Sequence, residues 1–190
     1  MRQQRRTLSP QERKWRAAAV CRYIQTSRSF RKARSIAFYL PNDGEIDLRP
    51  LIDVALKQGK RCLLPVLDKL IERRLFFAPY DPDTPLALNR YGIPEPDTHP
   101  KSLVRPRAID LILMPLVAFD NQGNRIGMGG GYYDRTLSFL RHRQRWYRPK
   151  LVGVAFAFQQ VDSITARSWD IPLHLIATDT GIIAPCKQRG

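Results

Sequence analysis

The feature that most constrains this chain is a run with no polar member, Leu111-Ile112-Leu113-Met114. It opens after Asp110 and leads shortly into a stretch, Gly123 to Gly131, where glycine takes five of nine positions. A short, wholly apolar run reads as a strand buried on both faces, and such strands belong to parallel sheets covered by helices. Ser35 to Leu40 is rich in strand formers and stops at Pro41. Arg61 to Leu67 and Leu75 to Pro79 read as two strands returning beside one another. Leu151 to Phe156 and Leu175 to Ile183 read as two more.

Helical patterns alternate with these strands. Ser9-Pro10-Gln11-Glu12 has the cap, the first-turn proline and the acid of a capping box. It predicts a helix over 9–24, with Trp15, Ala18, Ala19 and Tyr23 as its apolar stripe. Asp47 is placed to cap a second helix, with Leu51, Ile52, Ala55 and Leu56 inward and Gly59 as its stop. A third helix is expected from Tyr132 to Arg143. Residues 79–106 hold seven of the fifteen prolines, so they are expected as an ordered loop without elements of its own. The fold class that follows is α/β: residues 1–190 as a single three-layer domain, with a mostly parallel central sheet and helices on both faces.

Composition removes other classes. At 43% hydrophobic residues the chain is too apolar for disorder. Its best apolar run, Leu111 to Phe119, is broken by Pro115 and falls well short of the ~20 residues that a bilayer requires. Met1 to Arg6 is polar and lacks the apolar stretch of a signal peptide. Cys21, Cys62 and Cys186 are scattered without a CxxC pair, which argues against a disulfide framework or a thiolate zinc site and for the cytoplasm. His99, His142 and His174 form no catalytic or metal pattern.

The net charge is +15, and residues 1–34 carry eleven basic side chains against one acid, Glu12. A second basic cluster is Arg141, Arg143, Arg145, Arg148 and Lys150. Such patches attract nucleic acid, nucleotide phosphates or carboxylate-rich metabolites, or are simply solvated helix faces. No RNP string, KH clamp or zinc finger supports nucleic acid.

The glycine-rich stretch, 123–134, carries the chemistry. It follows a buried strand, at the carboxyl end where open α/β sheets place ligands. Glycines let backbone N–H groups turn toward an anion, the following helix adds its positive end, and Arg125 offers a fork to a phosphate. The pattern is neither a P-loop nor GxGxxG, since Tyr132 stands where the last glycine would be. Spacing alone leaves two readings, an anion-binding loop or a tight turn. Asp134 likewise reads as a dipole-compensating acid or as a Mg²⁺ ligand.

Gly123 to Asp134 resembles the signature of the 5-formyltetrahydrofolate cyclo-ligase family. So do Leu40-Pro-Asn-Asp-Gly-Glu-Ile46, Tyr91-Gly-Ile-Pro-Glu-Pro96, Asp110 to Asp120, and Trp169-Asp-Ile-Pro-Leu173, in the family's order. The resemblance implies that Arg125, Ile126, Gly127, Met128, Gly129, Gly130, Gly131, Tyr132 and Tyr133 bind ATP. It implies that Leu40, Glu45, Tyr91, Met128, Gly129, Gly130, Gly131 and Tyr132 bind the folate, Glu45 through the pterin edge and Tyr91 by stacking. It further implies that Asp134 and Asp170 hold Mg²⁺, and that Arg125 and Asp134 are the catalytic pair.

The implied reaction closes 5-formyltetrahydrofolate, possibly polyglutamylated, to 5,10-methenyltetrahydrofolate through an N5-iminium phosphate, releasing ADP and phosphate. A monomer is expected. The alternatives are a nucleic-acid-binding protein and a relative that binds folate or nucleotide without turnover. Two departures stand out. Gly130 occupies a place where many members have lysine. The family's Lys-x-x-x-Arg helix upstream of the Ser9 cap is also expected to be missing; either the native start lies further upstream, or Arg2, Arg5 and Arg6 substitute.

Overall fold

The computed structural model describes residues 1–68, 73–141 and 148–186. Two helices open the chain, α1 (Arg2–Thr7) and α2 (Pro10–Thr26), followed by a short α3 (Arg28–Lys32) and β1 (Ser35–Ala37). Next come α4 (Arg49–Lys57), β2 (Arg61–Leu67) and β3 (Leu75–Pro79). Two short strands, β4 (Leu86–Leu88) and β5 (Pro94–Pro96), precede β6 (Leu111–Pro115). The hairpin β7 (Ala118–Phe119) and β8 (Arg125–Ile126) leads to α5 (Tyr132–Thr136). The last strands are β9 (Lys150–Val154), β10 (Leu175–Thr178) and β11 (Gly181–Ile183).

The central sheet has the order β11-β10-β9-β6-β1-β2-β3. Its five inner strands are parallel, and β3 and β11 close the two edges antiparallel. Chain direction across the sheet reverses at β1: β2 lies on one side of it and β6 on the other. The carboxyl ends of β1 and β6 therefore flank a topological switch point, the crevice where open α/β sheets take ligands.

One face of the sheet packs against α2, α3 and α4 through Ile36, Phe38, Leu64, Leu111, Leu113 and Val152. The other face (Ala37, Leu63, Ile112, Met114, Ile176) is covered by Leu137, Phe139 and Leu140 after α5 and by loops carrying Ile109, Ile171 and Leu173. In β6 the four apolar residues are all buried, as a two-faced strand requires.

Capping follows the sequence closely. Ser9 and Glu12 form the reciprocal capping box of α2. Asp47 accepts the Arg49 N–H at the start of α4 from one position outside the cap, which is Leu48. Gly59, at φ 68°, ends α4, with Lys60 N–H on the Ala55 carbonyl.

Several expectations need correction. The buried stripe of α2 is Ala17, Val20, Cys21 and Ile24, while Trp15 is 67% exposed and Ala18 is also outside. Two stripes share these residues, and the one with smaller side chains docks. Residues 79–106 include the β4–β5 hairpin. The expected strand from Leu175 to Ile183 is two strands joined by a turn at Asp179-Thr180. The helix expected to reach Arg143 stops at Thr136, followed by a 3₁₀ turn at Ser138–Leu140. His142, Arg143 and Arg145 lie outside the described residues.

His99 and His174 make backbone contacts: each Nδ1 accepts an N–H, from Lys101 and Leu151 respectively. Cys21 and Cys62 are buried free thiols, and Cys186 is a free thiol at the surface. No described helix is long and apolar enough to cross a membrane.

Candidate functional site

Two loops leave the strand ends that flank the switch point. The first, after β1, runs from Leu40 to Asp47. Asp43 and Gly44 both take positive φ, 50° and 73°, which turns the chain back sharply. Gly44 also presses on α1: a Cβ there would sit 3.3 Å from both the Cβ and the carbonyl oxygen of Arg5.

A short helix precedes the Ser9 cap, and it is the basic segment Arg2–Thr7, which carries Arg2, Arg5 and Arg6. Three of its guanidiniums converge on one carboxylate. Arg2 Nε and Arg6 Nε each lie 2.6 Å from an Asp43 oxygen, and Arg5 Nη2 lies 3.3 Å away. Burial works against the Asp43 charge, yet Arg2 and Arg6 hold its carboxyl below the ordinary aspartate range. Sequence reasoning listed these arginines but missed their anchor. The Asp-Gly pair, a turn signal, was the available clue.

Glu45 sits in the same loop, where its carboxylate accepts the Asn42 N–H at 3.1 Å. Burial pushes its carboxyl up to about 7, against the pull of the Asn42 N–H and of Arg5. The Tyr39 hydroxyl donates to the Ile46 carbonyl at 2.9 Å. Tyr39 and Tyr133 are both pushed up, first by burial and then by the nearby Glu45 charge. Leu40 is half-buried against the core at the end of β1.

The second loop leaves β6. The sequence placed Gly123 within the anion loop, but the structure puts it in the β7–β8 turn. Asp120, fully buried, accepts N–H groups from Gln122, Asn124 and Ile164 and the Asn124 amide. Gly123, at φ 86°, packs so tightly that a Cβ would lie 2.9 Å from the Leu173 carbonyl. The open part of the loop is 126–129, all exposed, with Ile126 and Met128 about half exposed despite being apolar.

Arg125 does not present its fork to solvent. Its side chain is only 5% exposed, with Nη2 2.7 Å from Asp134 Oδ1 and Nη1 2.5 Å from the Ile171 carbonyl. The Ile171 N–H also reaches Asp134 Oδ1, at 3.2 Å. This knot brings Asp170 beside the glycine loop. The Asp170 carboxylate accepts the Arg167 N–H at 2.8 Å. Both contacts to Asp134 fall on Oδ1.

The third arm is the proline-rich segment. Tyr91, over half exposed, meets Tyr132 with hydroxyls 2.7 Å apart and rings edge-to-face at 6.0 Å. Arg90 donates to the Tyr132 hydroxyl at 2.6 Å. Arg135 donates to the Gly130 carbonyl at 2.9 Å, which puts a guanidinium beside the position lacking lysine. Leu40, Glu45, Tyr91, the glycine loop, Asp134 and Asp170 are thus gathered at one end of the sheet from four separate segments. Arginines outnumber acids there, so the crevice favours polyanions.

Residues 1–179 match the model of the 5-formyltetrahydrofolate cyclo-ligase family. The chain is 36% identical to the 5-formyltetrahydrofolate cyclo-ligase of Escherichia coli (strain K12) over 96% of its own length and 98% of that protein. It is 42% identical to the Haemophilus influenzae 5-formyltetrahydrofolate cyclo-ligase over 75% of this chain and 74% of that one. The solution structure of Aquifex aeolicus 5,10-methenyltetrahydrofolate synthetase superposes with a TM-score of 0.80 at 32% identity, covering 100% of this chain and 91% of that one.

Proposed function

This chain belongs to the 5-formyltetrahydrofolate cyclo-ligase family, and from that premise we propose that it closes 5-formyltetrahydrofolate to 5,10-methenyltetrahydrofolate at the expense of ATP. What supports the reading is that the loop bearing Glu45 follows β1 and the Met128–Tyr133 loop lies downstream of β6, the two neighbouring strands at the switch point.

The folate lies between the two loops. Ionised Glu45 accepts from the donor edge of the pterin, whose paired N–H groups suit a carboxylate. Tyr91, Tyr132 and Met128 offer aromatic and apolar surface, and Leu40 closes the floor. The triphosphate lies along Ile126 to Tyr133, where glycines leave the backbone approachable and Arg135 adds charge. Arg125 acts from behind the loop, holding Asp134 and the Asp170 turn in place.

Mg²⁺ fits this donor set. A metal carried on phosphates requires only one or two protein carboxylates, and the Ile171 N–H bond to Asp134 keeps the neighbouring residue Asp170 close to the start of α5. No group of three or more His, Cys, Asp or Glu stands ready for an all-protein cage among the described residues. Bound there, Mg²⁺ would neutralise charge on the phosphates.

The chemistry asks the protein for alignment more than for covalent help. The formyl oxygen attacks the γ-phosphorus and ADP departs. N10 then adds to the N5-iminium carbon, and loss of phosphate together with the N10 proton, released to water or to the departing phosphate, completes the ring. Backbone N–H groups of the loop, with Arg135, stabilise the charge that builds on the transferring group. The basic surface suits ATP and polyglutamylated folate, and steering of this kind weakens with salt. The buried free thiols agree with the cytoplasm.

The test is direct. Purified protein mixed with 5-formyltetrahydrofolate and MgATP should develop the near-ultraviolet absorbance of the methenyl product, with stoichiometric ADP, and none when ATP or magnesium is omitted. Folate or ATP binding without product would leave a non-catalytic relative. Salt-sensitive oligonucleotide binding without either would favour the nucleic-acid reading.

A further inference from the structure

One buried charge at the switch point has no part in the binding scheme above. Arg5 is 1% exposed, yet its guanidinium is only partly satisfied: Nη2 shares Asp43 with two other arginines, and Nη1 donates to the Leu116 carbonyl at 3.2 Å. That carbonyl also accepts from Gln159 at 2.8 Å, and Arg5 Nε has no partner. A dry, incompletely paired guanidinium costs folding free energy that an apolar side chain of similar size would spare. Its two contacts join the loop after β1 to the end of β6, the two strand ends that define the crevice.

We propose that Arg5 is a positioning residue for folate binding: its guanidinium fastens the loop carrying Glu45 to the carboxyl end of β6 and sets a fixed positive charge near that carboxylate. This rests on the reading of Glu45 as the pterin-binding acid. The groups facing Glu45 are the Asn42 N–H, Asp43, Arg2 and Arg5, with Tyr39 from the end of β1 and Tyr133 from α5. Both tyrosines are neutral near pH 7, and Asp43 opposes a second negative charge. Arg2 is half exposed, so water screens it. Arg5 is the dry cation of the set. It keeps Glu45 able to ionise in a site that otherwise favours the neutral acid, and a neutral carboxyl offers the pterin one acceptor fewer.

The experiment compares the wild type with Arg5→Gln, Arg5→Lys and Glu45→Gln. KM and kcat are measured for each substrate across neutral pH. In the wild type, folate KM should rise as the pH falls through about 7, where Glu45 takes up its proton. Arg5→Gln should raise folate KM about tenfold or more and move that limb up by roughly one pH unit, with smaller effects on kcat and on KM for ATP. Arg5→Lys should return the limb toward its wild-type place while leaving folate KM raised, a split that lost packing alone would not produce.

Unchanged folate KM and an unmoved limb in Arg5→Gln would overturn the proposal. So would a rise confined to KM for ATP, which would make Arg5 a nucleotide ligand. If Arg5→Gln does not fold, Arg5→Lys decides, because a wild-type folate KM there excludes a positioning role. Glu45→Gln separates the two levels of inference. Wild-type folate KM in that variant removes Glu45 from the site and the role of Arg5 with it. A raised KM there beside a silent Arg5→Gln leaves Glu45 standing and removes Arg5 alone.

Discussion

The two loops that flank the switch point are built on opposite principles. Leu40–Asp47 is held in advance of any ligand: Asp43 is gripped by three arginines, Gly44 packs on α1, and Tyr39 ties the loop at Ile46. Beyond the β8 pairing of Ile126, residues Gly127 to Gly129 are held by almost nothing. They are exposed, and a Cβ at Gly127 or Gly129 would meet no atom within 4 Å. The first recognises a rigid heterocycle, for which a preformed edge limits the entropy lost on binding. The second wraps a flexible chain of phosphates, for which accessible backbone N–H groups matter more than prior packing. Changes in the first loop should register in stability and folate affinity together. Changes in the second should register in turnover and substrate affinity with little effect on stability.

The largest effect on the open side is expected at Asp134, where the glycine loop becomes helix. Asp134→Asn keeps the shape but removes the charge that pairs with Arg125 and suits Mg²⁺. Turnover should fall about 10²–10³-fold, with little change in folate KM, when followed by absorbance of the methenyl product. A wild-type rate would remove Asp134 from the chemistry and recast its pair with Arg125 as scaffolding.

Asp43→Asn is the counterpart on the packed side. Asparagine tolerates the positive φ at this position, so the variant isolates the charge. Three guanidiniums would lose their anion, one of them almost fully buried, at a cost of about 3 kcal/mol and roughly 6–12 °C in Tm. The pH dependence has a definite sign. Because the folded carboxyl is held low, its contribution is full above the unfolded value near ~4 and is lost as pH falls through the lower folded value. Acid unfolding of the wild type should therefore be steeper than that of Asp43→Asn, when the two are followed by circular dichroism. Equal acid limbs would show that Asp43 is not the anchor of α1.

How far the sequence revealed this contrast depended on the range of the forces involved. The Ser9 capping box, the Gly59 stop and the fully buried β6 rest on neighbours within a few residues, so local patterns specified them. The glycine loop was visible because its composition is unusual, and Asp170, Tyr91 and Glu45 came from family resemblance and not from spacing. The phase of α2 was misread because the size of Trp15 and Tyr23 drew the stripe toward them, whereas Ala17, Val20, Cys21 and Ile24 are the buried face. The Asp43 anchor joins residues about forty positions apart, and the Arg125–Asp134–Ile171 knot depends on where a distant loop returns. No period or motif encodes such meetings. Even Gly123, which shares the composition of the loop, belongs to the neighbouring hairpin for reasons of packing against Leu173.

The finest test of the comparison sets one glycine against another. Gly44→Ala forces a side chain into positive φ against the Arg5 backbone, so it should cost about 1–2 kcal/mol of stability and weaken folate binding with it. Gly127→Ala adds a methyl where nothing stands, so its change in stability should stay within about 0.5 kcal/mol. If the loop closes on phosphates, that methyl still intrudes between backbone and ligand, and KM for ATP should rise severalfold with Tm unmoved. A Gly127→Ala variant that lowers Tm while leaving KM for ATP alone would invert the assignment. Residues 126–129 would then be a packed turn, and the triphosphate would have to lie elsewhere along the crevice.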